Sequence, residues 1–168
     1  MNFKFSISTE RLLINPLNDN DGRFILELLN TDGWIKFIGQ RHVNTQKAAA
    51  VYIQKILDNK DVLYWVVKIK GFNQPIGIVT YIKRAYLEYH DIGFAFLPEF
   101  SKCGYAYEAT NAVLNKLKTE HKLHHILATT MPENKDAITL LEKIGLRFEN
   151  EIEIDSKKLL VYGYSFSK

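Results

Sequence analysis

The stretch Phe94-Ala95-Phe96-Leu97-Pro98-Glu99-Phe100-Ser101-Lys102-Cys103-Gly104-Tyr105-Ala106-Tyr107-Glu108-Ala109 carries the residue types and spacing best suited to chemistry. It reads as a strand that delivers the chain into a helix through a loop holding one glycine. Amides in the first turn of a helix have no internal acceptor and sit at the positive end of the dipole, so such a loop can hold a phosphate or diphosphate. The backbone itself must approach the anion, and Gly104 and Ala106 are small enough to allow it. A glycine there can equally serve only to relieve strain, so the loop alone does not decide the function. Acid–base groups lie just upstream: Asp91 and Glu88 stand at the beginning of the strand, with His90 between them. Asp91 either takes part in proton transfer or caps a strand end. Cys103, at a helix N-terminus, raises the idea of a nucleophilic thiol, yet nucleophilic catalysis would also need a partnered histidine, which no spacing signature supplies. His42, His90, His121, His124 and His125 form no metal-ligand pattern, and we expect no metal.

The elements that must position these groups follow from periodicity. Glu10 to Asn15 reads as a short strand ended by Pro16, and Asn18 to Asp21 offers N-caps to a helix with Phe24, Ile25, Leu28 and Leu29 on its apolar face. Thr45 caps a second helix, in which Ala49, Tyr52, Ile53 and Ile56 recur at helical spacing. Between the two, Trp34 to His42 reads as an aromatic, basic loop. Three strands follow, Val62 to Lys70, Ile76 to Lys83 and His90 to Leu97, whose short connections imply antiparallel pairing. Gly104 to Glu120 is helical and Ile126 to Thr130 a compact strand, so the unit from Ile92 to Thr130 is a crossover that sets two strands parallel. A fourth helix presents Ala137, Leu140, Leu141 and Ile144 and stops at Gly145. A hairpin through Asp155 to Lys158 joins strands at Arg147 to Ile154 and Leu159 to Phe166. The expectation is an α/β (α+β) fold, with a mixed, mostly antiparallel sheet of about seven strands and four helices.

Composition narrows the function classes. The 168 residues, 46% of them hydrophobic and only 9 glycine and 4 proline, are enough for one domain over residues 1–168 and argue against disorder. A single cysteine excludes an internal disulfide and fits a reducing, cytoplasmic setting. No run approaches the roughly 18 apolar residues of a membrane span. Met1 to Asn15 carries Lys4, Glu10 and Arg11 where a secretory signal would be apolar. The net charge of +3 is dispersed over Lys68, Lys70, Lys83, Arg84, Lys116, Lys118 and Lys122, so no nucleic-acid partner is expected.

The loop Ser101-Lys102-Cys103-Gly104-Tyr105-Ala106 resembles motif A of the GNAT superfamily of acetyl-coenzyme A dependent N-acetyltransferases, which reads Arg or Gln, any two residues, Gly, any residue, then Gly or Ala. Asp91 to Glu99, followed by Gly104-Tyr105-Ala106 and Glu108-Ala109, is similar to the branch holding the ribosomal-protein N-terminal acetyltransferases. Pro132-Glu133-Asn134 and Leu140 to Leu146 look like that branch's motif B, and Thr9-Glu10-Arg11-Leu12 like its opening strand.

The resemblance implies transfer of acetyl from acetyl-coenzyme A to a primary amine on a peptide N-terminus or small molecule. It implies that the strand ending at Leu97 and the strand Ile126 to Thr130 splay apart around the pantetheine arm. Phe96 and Leu97 would pair with that arm, main-chain amides from Lys102 through Cys103, Gly104, Tyr105 and Ala106 to Tyr107 would bind the diphosphate, and Asn134 would contact the arm or cap the last helix. An amide near Ala95 or Phe96 would polarise the thioester carbonyl, and Asp91, with Glu88 as second candidate, would receive the amine proton or order the water that does. Trp34, Phe37 and Arg41 would wall the acceptor site or, for the aromatic pair, plug the core. Three departures stand out. Ser101 replaces the opening Arg or Gln, Lys102 stands where family loops carry glycine, and Ala137 and Leu141 occupy positions where relatives carry hydroxyl side chains. These motivate an alternative, a catalytically weakened acyl-coenzyme A sensor, either form being a monomer or homodimer.

Overall fold

A computed structural model describes residues 5–121 and 123–166. Lys4 of the charged opening segment and Lys122 of the dispersed basic set lie outside them, as does the side chain of His121. Strands β1 (Ile7–Ser8) and β2 (Leu12–Pro16) lead into helices α1 (Gly22–Leu29), α2 (Asp32–Phe37) and α3 (Gln46–Leu57). Strands β3 (Val62–Ile69), β4 (Gln74–Ile82) and β5 (Asp91–Phe96) follow, then α4 (Tyr105–His121), β6 (His125–Thr130), α5 (Lys135–Lys143), β7 (Arg147–Ile154) and β8 (Lys157–Ser165). The strands form one sheet in the order β1-β2-β3-β4-β5-β6-β8-β7, antiparallel at every junction except β5–β6.

The described residues thus contain eight strands and five α-helices where the sequence implied about seven and four. The additional strand is the two-residue β1, too short to show alternation. The additional helix corrects the loop expected at Trp34 to His42: α2 is six residues long, begins at a Thr31 cap that accepts from the Trp34 amide, and carries Gly33 inside it. Six residues give less than two turns of periodicity, so the hydrophobic pattern does not reveal it. The other caps match their chemistry. Thr45 accepts from the Ala48 amide; Asn18 and Asp21 form a reciprocal capping box over the 3-10 turn Asp19–Asp21 that leads into α1, while Asp21, the residue before α1, makes no side-chain cap bond of its own. Gly145 closes α5 at φ +101°, with its amide on the Glu142 carbonyl and the Leu146 amide on that of Leu141, the paired bonds of a Schellman ending.

Alternation along the central strands divides the core into two layers. Trp65, Val67, Val79, Tyr81 and Ile92 face α4 and α5 together with Val113, Leu117 and Leu141. Val66 and Ile78 face α1 and α3 with Ile25, Leu28, Ile53 and the α2 residue Trp34. Leu117, with no exposed surface, sits at the centre of the first layer. Leu117→Ala is expected to lower unfolding free energy by about 2–5 kcal/mol, read from denaturant melts, because the methylenes removed leave a cavity between helix and sheet.

Candidate active site

The site begins where the sheet opens. Asp91 and Leu127 form the only β5–β6 bridge among the described residues, with the Leu127 amide donating to the His90 carbonyl at 3.0 Å. Beyond it the two strands diverge. The Leu97 amide donates to Ile76 of β4, and since strand polar groups alternate in direction, the amides and carbonyls of Phe94 and Phe96 point to the opposite side, into the gap. Ala95 points its amide at β4, and Leu97 has both its groups engaged, its carbonyl accepting from Phe100. Of the strand residues expected to meet the arm or the thioester, Phe96 therefore has main-chain groups to offer, whereas Ala95 and Leu97 have theirs in use.

The chain then turns through Pro98–Phe100 into the loop before α4. Lys102 holds φ +60° and Gly104 φ +79°. The first is a left-handed conformation that costs a side-chain-bearing residue about 1–2 kcal/mol. The amides of Gly104, Tyr105, Ala106 and Tyr107 have no acceptor among the described residues, and the first capped amide of the turn is Glu108, on the Gly104 carbonyl. Cys103 is exposed, its thiol donating to the Ser101 carbonyl.

This loop is held from outside by a contact that local spacing does not reveal. Glu108 accepts from the Thr9 hydroxyl at 2.6 Å, the Arg11 amide at 2.9 Å and Arg11 Nε at 2.6 Å. Arg11 Nη1 also donates to the Cys103 carbonyl at 2.9 Å, and the guanidinium lies 4.5 Å from the Tyr105 ring centroid. Burial pushes the Glu108 carboxyl up, but the bonds from Thr9 and Arg11 outweigh it and hold its pKa below the ordinary value.

Asp91 sits at the apex of the gap, 4% exposed. One oxygen accepts from the Thr129 amide of β6 at 3.1 Å and the other from Arg84 Nε at 2.9 Å. Burial raises its pKa to about 6, against the opposing pull of Arg84 and the Thr129 amide. Arg84, read from sequence as a dispersed surface charge, is instead the counter-ion of this carboxylate. Glu88 lies exposed in the loop before β5, its carbonyl accepting from Lys83 Nζ. His90 stacks on Tyr81 at 4.4 Å, and burial, aided by Lys83, lowers its pKa. On the α1–α3 side of the sheet, Tyr52 and Tyr64 share a hydroxyl contact at 3.3 Å. Burial and Tyr52 push the Tyr64 phenol up, while the charges of Arg41 and Arg84 draw it down.

Asn134 caps α5, its side-chain oxygen accepting from the Ala137 amide at 3.2 Å; its main-chain amide donates to Met131, and its side-chain Nδ2 has no partner among the described residues. Ala137 and Leu141 are buried, so neither position presents a proton donor. Trp34 is 4% exposed in the α1–α3 core, its indole N–H without a hydrogen-bond partner among the described residues. Phe37 is half-buried beneath Lys36, and Arg41 is exposed. Among the described residues no cluster of three or more His, Cys, Asp or Glu is placed to hold a metal, and no helix is long and apolar enough to cross a membrane.

A family model described as the acetyltransferase (GNAT) domain matches residues 11–147. The uncharacterized N-acetyltransferase YnaD of Bacillus subtilis is 30% identical over 143 residues, covering 85% of this chain and 83% of that protein. The crystal structure of an acetyltransferase (GNAT family) from Bacillus anthracis superposes with a TM-score of 0.81 at 28% identity, over 96% of this chain and 98% of that one. The ribosomal-protein-S5-alanine acetyltransferase of Vibrio fischeri superposes with a TM-score of 0.82 over 96% of each chain, and at 19% identity the likeness is one of fold.

Proposed function

The chain belongs to the GNAT acetyltransferase family, and from that premise we propose that it transfers acetyl from acetyl-coenzyme A to a primary amine, on a protein N-terminus or a small molecule, by direct attack in a ternary complex. The observation that carries this reading is two sets of main-chain groups without partners among the described residues. Phe94 and Phe96 line the strand gap, and the Gly104 to Tyr107 amides follow one turn later. The strand groups suit the peptide-like pantetheine arm, which pairs as an added strand would. The amides from Lys102 to Tyr107 suit the diphosphate, and the Asn134 Nδ2 suits a carbonyl of the arm.

Acetyl-coenzyme A supplies the thioester and, with it, a good leaving group. A C–N bond forms as the C–S bond breaks, the amine proton must leave, and the departing thiolate takes up a proton. We assign the amine proton to Asp91, reached through water because the carboxylate is buried and each oxygen already accepts one bond. Glu88, exposed upstream, is the secondary candidate. The Phe96 amide, directed into the gap, would polarise the carbonyl. Trp34, Phe37 and Arg41 would wall the amine's approach, Arg41 and Phe37 by contact and Trp34 by packing beneath. The reaction belongs in the cytoplasm, where an exposed lone thiol such as Cys103 is at home.

Ala137 and Leu141, buried and unable to donate a proton, favour a second reading, an acyl-coenzyme A binding module with little turnover. Thiol release from acetyl-coenzyme A in the presence of N-terminal peptides and small amines separates the two. Transfer predicts release with at least one amine. Calorimetric binding without release across the panel selects the binding module, and no heat from coenzyme A removes both.

A further inference from the structure

We propose that Arg11 is a positioning residue for the acetyl donor, acting through the loop rather than by touching the reacting atoms. This rests on the reading above, in which the amides before α4 bind the diphosphate. In a trans peptide the carbonyl and the following N–H point in opposite directions. Arg11 Nη1 pins the Cys103 carbonyl at 2.9 Å, and the Gly104 amide, which has no described acceptor, is thereby turned away from Arg11. The same guanidinium is fixed at its other edge by Glu108 through Nε at 2.6 Å, and its face lies on the Tyr105 ring. One planar group therefore grips a loop carbonyl, the first helical residue and a carboxylate one turn into α4.

The grip comes from the other end of the chain. Thr9 and the Arg11 amide bind the same Glu108 carboxylate, and the carbonyl of Thr9 accepts from Lys70 Nζ, so the start of β2 is anchored before it reaches the loop. The loop needs such an external hold. It contains two left-handed residues, Lys102 and Gly104, of which Lys102 carries a side chain into that conformation. It also lacks, at Ser101, the long side chain that opens the family pattern. A lysine at position 11 would keep the charge facing Glu108 but is a single point donor, unable to bind Glu108 and Cys103 as a fork does.

Steady-state kinetics and calorimetry with acetyl-coenzyme A on Arg11→Gln, Arg11→Lys and Glu108→Gln test the assignment. Arg11→Gln is expected to raise KM and Kd for acetyl-coenzyme A roughly tenfold, with kcat within about twofold, the worth of one charge-assisted bond. Arg11→Lys is expected to recover the wild-type melting temperature while leaving KM raised. A bare structural tie predicts instead that lysine restores KM as well as the melting temperature. Glu108→Gln, which keeps the shape of the acceptor, is expected to raise KM about threefold and serves if Arg11→Gln does not fold. Wild-type KM in either Arg11→Lys or Glu108→Gln overturns the assignment. Wild-type protein that gives no heat with acetyl-coenzyme A overturns the functional reading beneath it instead.

Discussion

Asp91→Asn is expected to lower kcat about a hundredfold while leaving KM for acetyl-coenzyme A within about twofold, the loss typical of removing a positioned proton acceptor. Asparagine keeps an oxygen for the Thr129 amide but sets its NH2 against Arg84 Nε, which loses its acceptor, so a melting curve accompanies the kinetics. What disappears is the group that titrates. In the wild type, kcat/KM should fall as pH drops through about 6, where burial places the Asp91 pKa, and Asp91→Asn should lose that limb. The effect on stability has its own sign. The folded pKa of about 6 lies above the ordinary 3.8, so the native state binds more protons between those values. This group therefore adds stability as pH falls from 6 toward 4 and adds none as pH rises above 6, and the neutral variant should remain folded at pH 7. Urea melts at pH 5 and 7 check this alongside the kinetics. A pH–rate profile identical in wild type and Asp91→Asn removes Asp91 from proton transfer.

Gly104→Val should act on binding rather than on chemistry. The backbone there holds φ +79°, a region that a β-branched side chain tolerates poorly, and a Cβ would stand 3.2 Å from Arg11 Nη2. Either the loop leaves its conformation or Arg11 leaves the Cys103 carbonyl, and both misdirect the amides before α4. Strain and a lost main-chain bond together amount to about 3 kcal/mol, which is roughly a hundredfold in acetyl-coenzyme A affinity. Calorimetry would show that loss, with the melting temperature reporting separately on the fold. Wild-type affinity in Gly104→Val would mean that the diphosphate lies elsewhere.

Local signals in the sequence carried most of the architecture. Thr45 announced its helix and Gly145 a helix stop, the strand Arg147–Ile154 emerged with the boundaries read from its residues, and Asn18 caps the 3-10 turn that leads into the first helix rather than the helix itself. The helix Asp32–Phe37 did not, because it is shorter than two turns and its Trp34 and Phe37 read equally well as loop aromatics. At the site, the run from Lys102 to Tyr107 was legible as a candidate because a strand-to-helix turn is contiguous in the chain. Its support was not: Arg11 and Glu108 are 97 positions apart, and only the fold brings them within 2.6 Å. Asp91 was visible as a carboxylate near a strand start, but its burial and its partner Arg84 depend on how the intervening loop folds back. Leu97 was misplaced by one position of alternation. In a strand, the direction of each main-chain group is set by pairing with the neighbour, which side-chain type does not encode.

Asp91 and Leu127 form the one β5–β6 bridge among the described residues, and on the proposed reading the donor's arm would stand as the missing rung of the ladder. That rung is the same before and after the reaction, because acetyl-coenzyme A and free coenzyme A differ only at the sulfur. Affinity invested in the gap cannot tell reactant from product, so spent coenzyme A should compete with fresh donor, and turnover in a cell would track the ratio of the two rather than the amount of either.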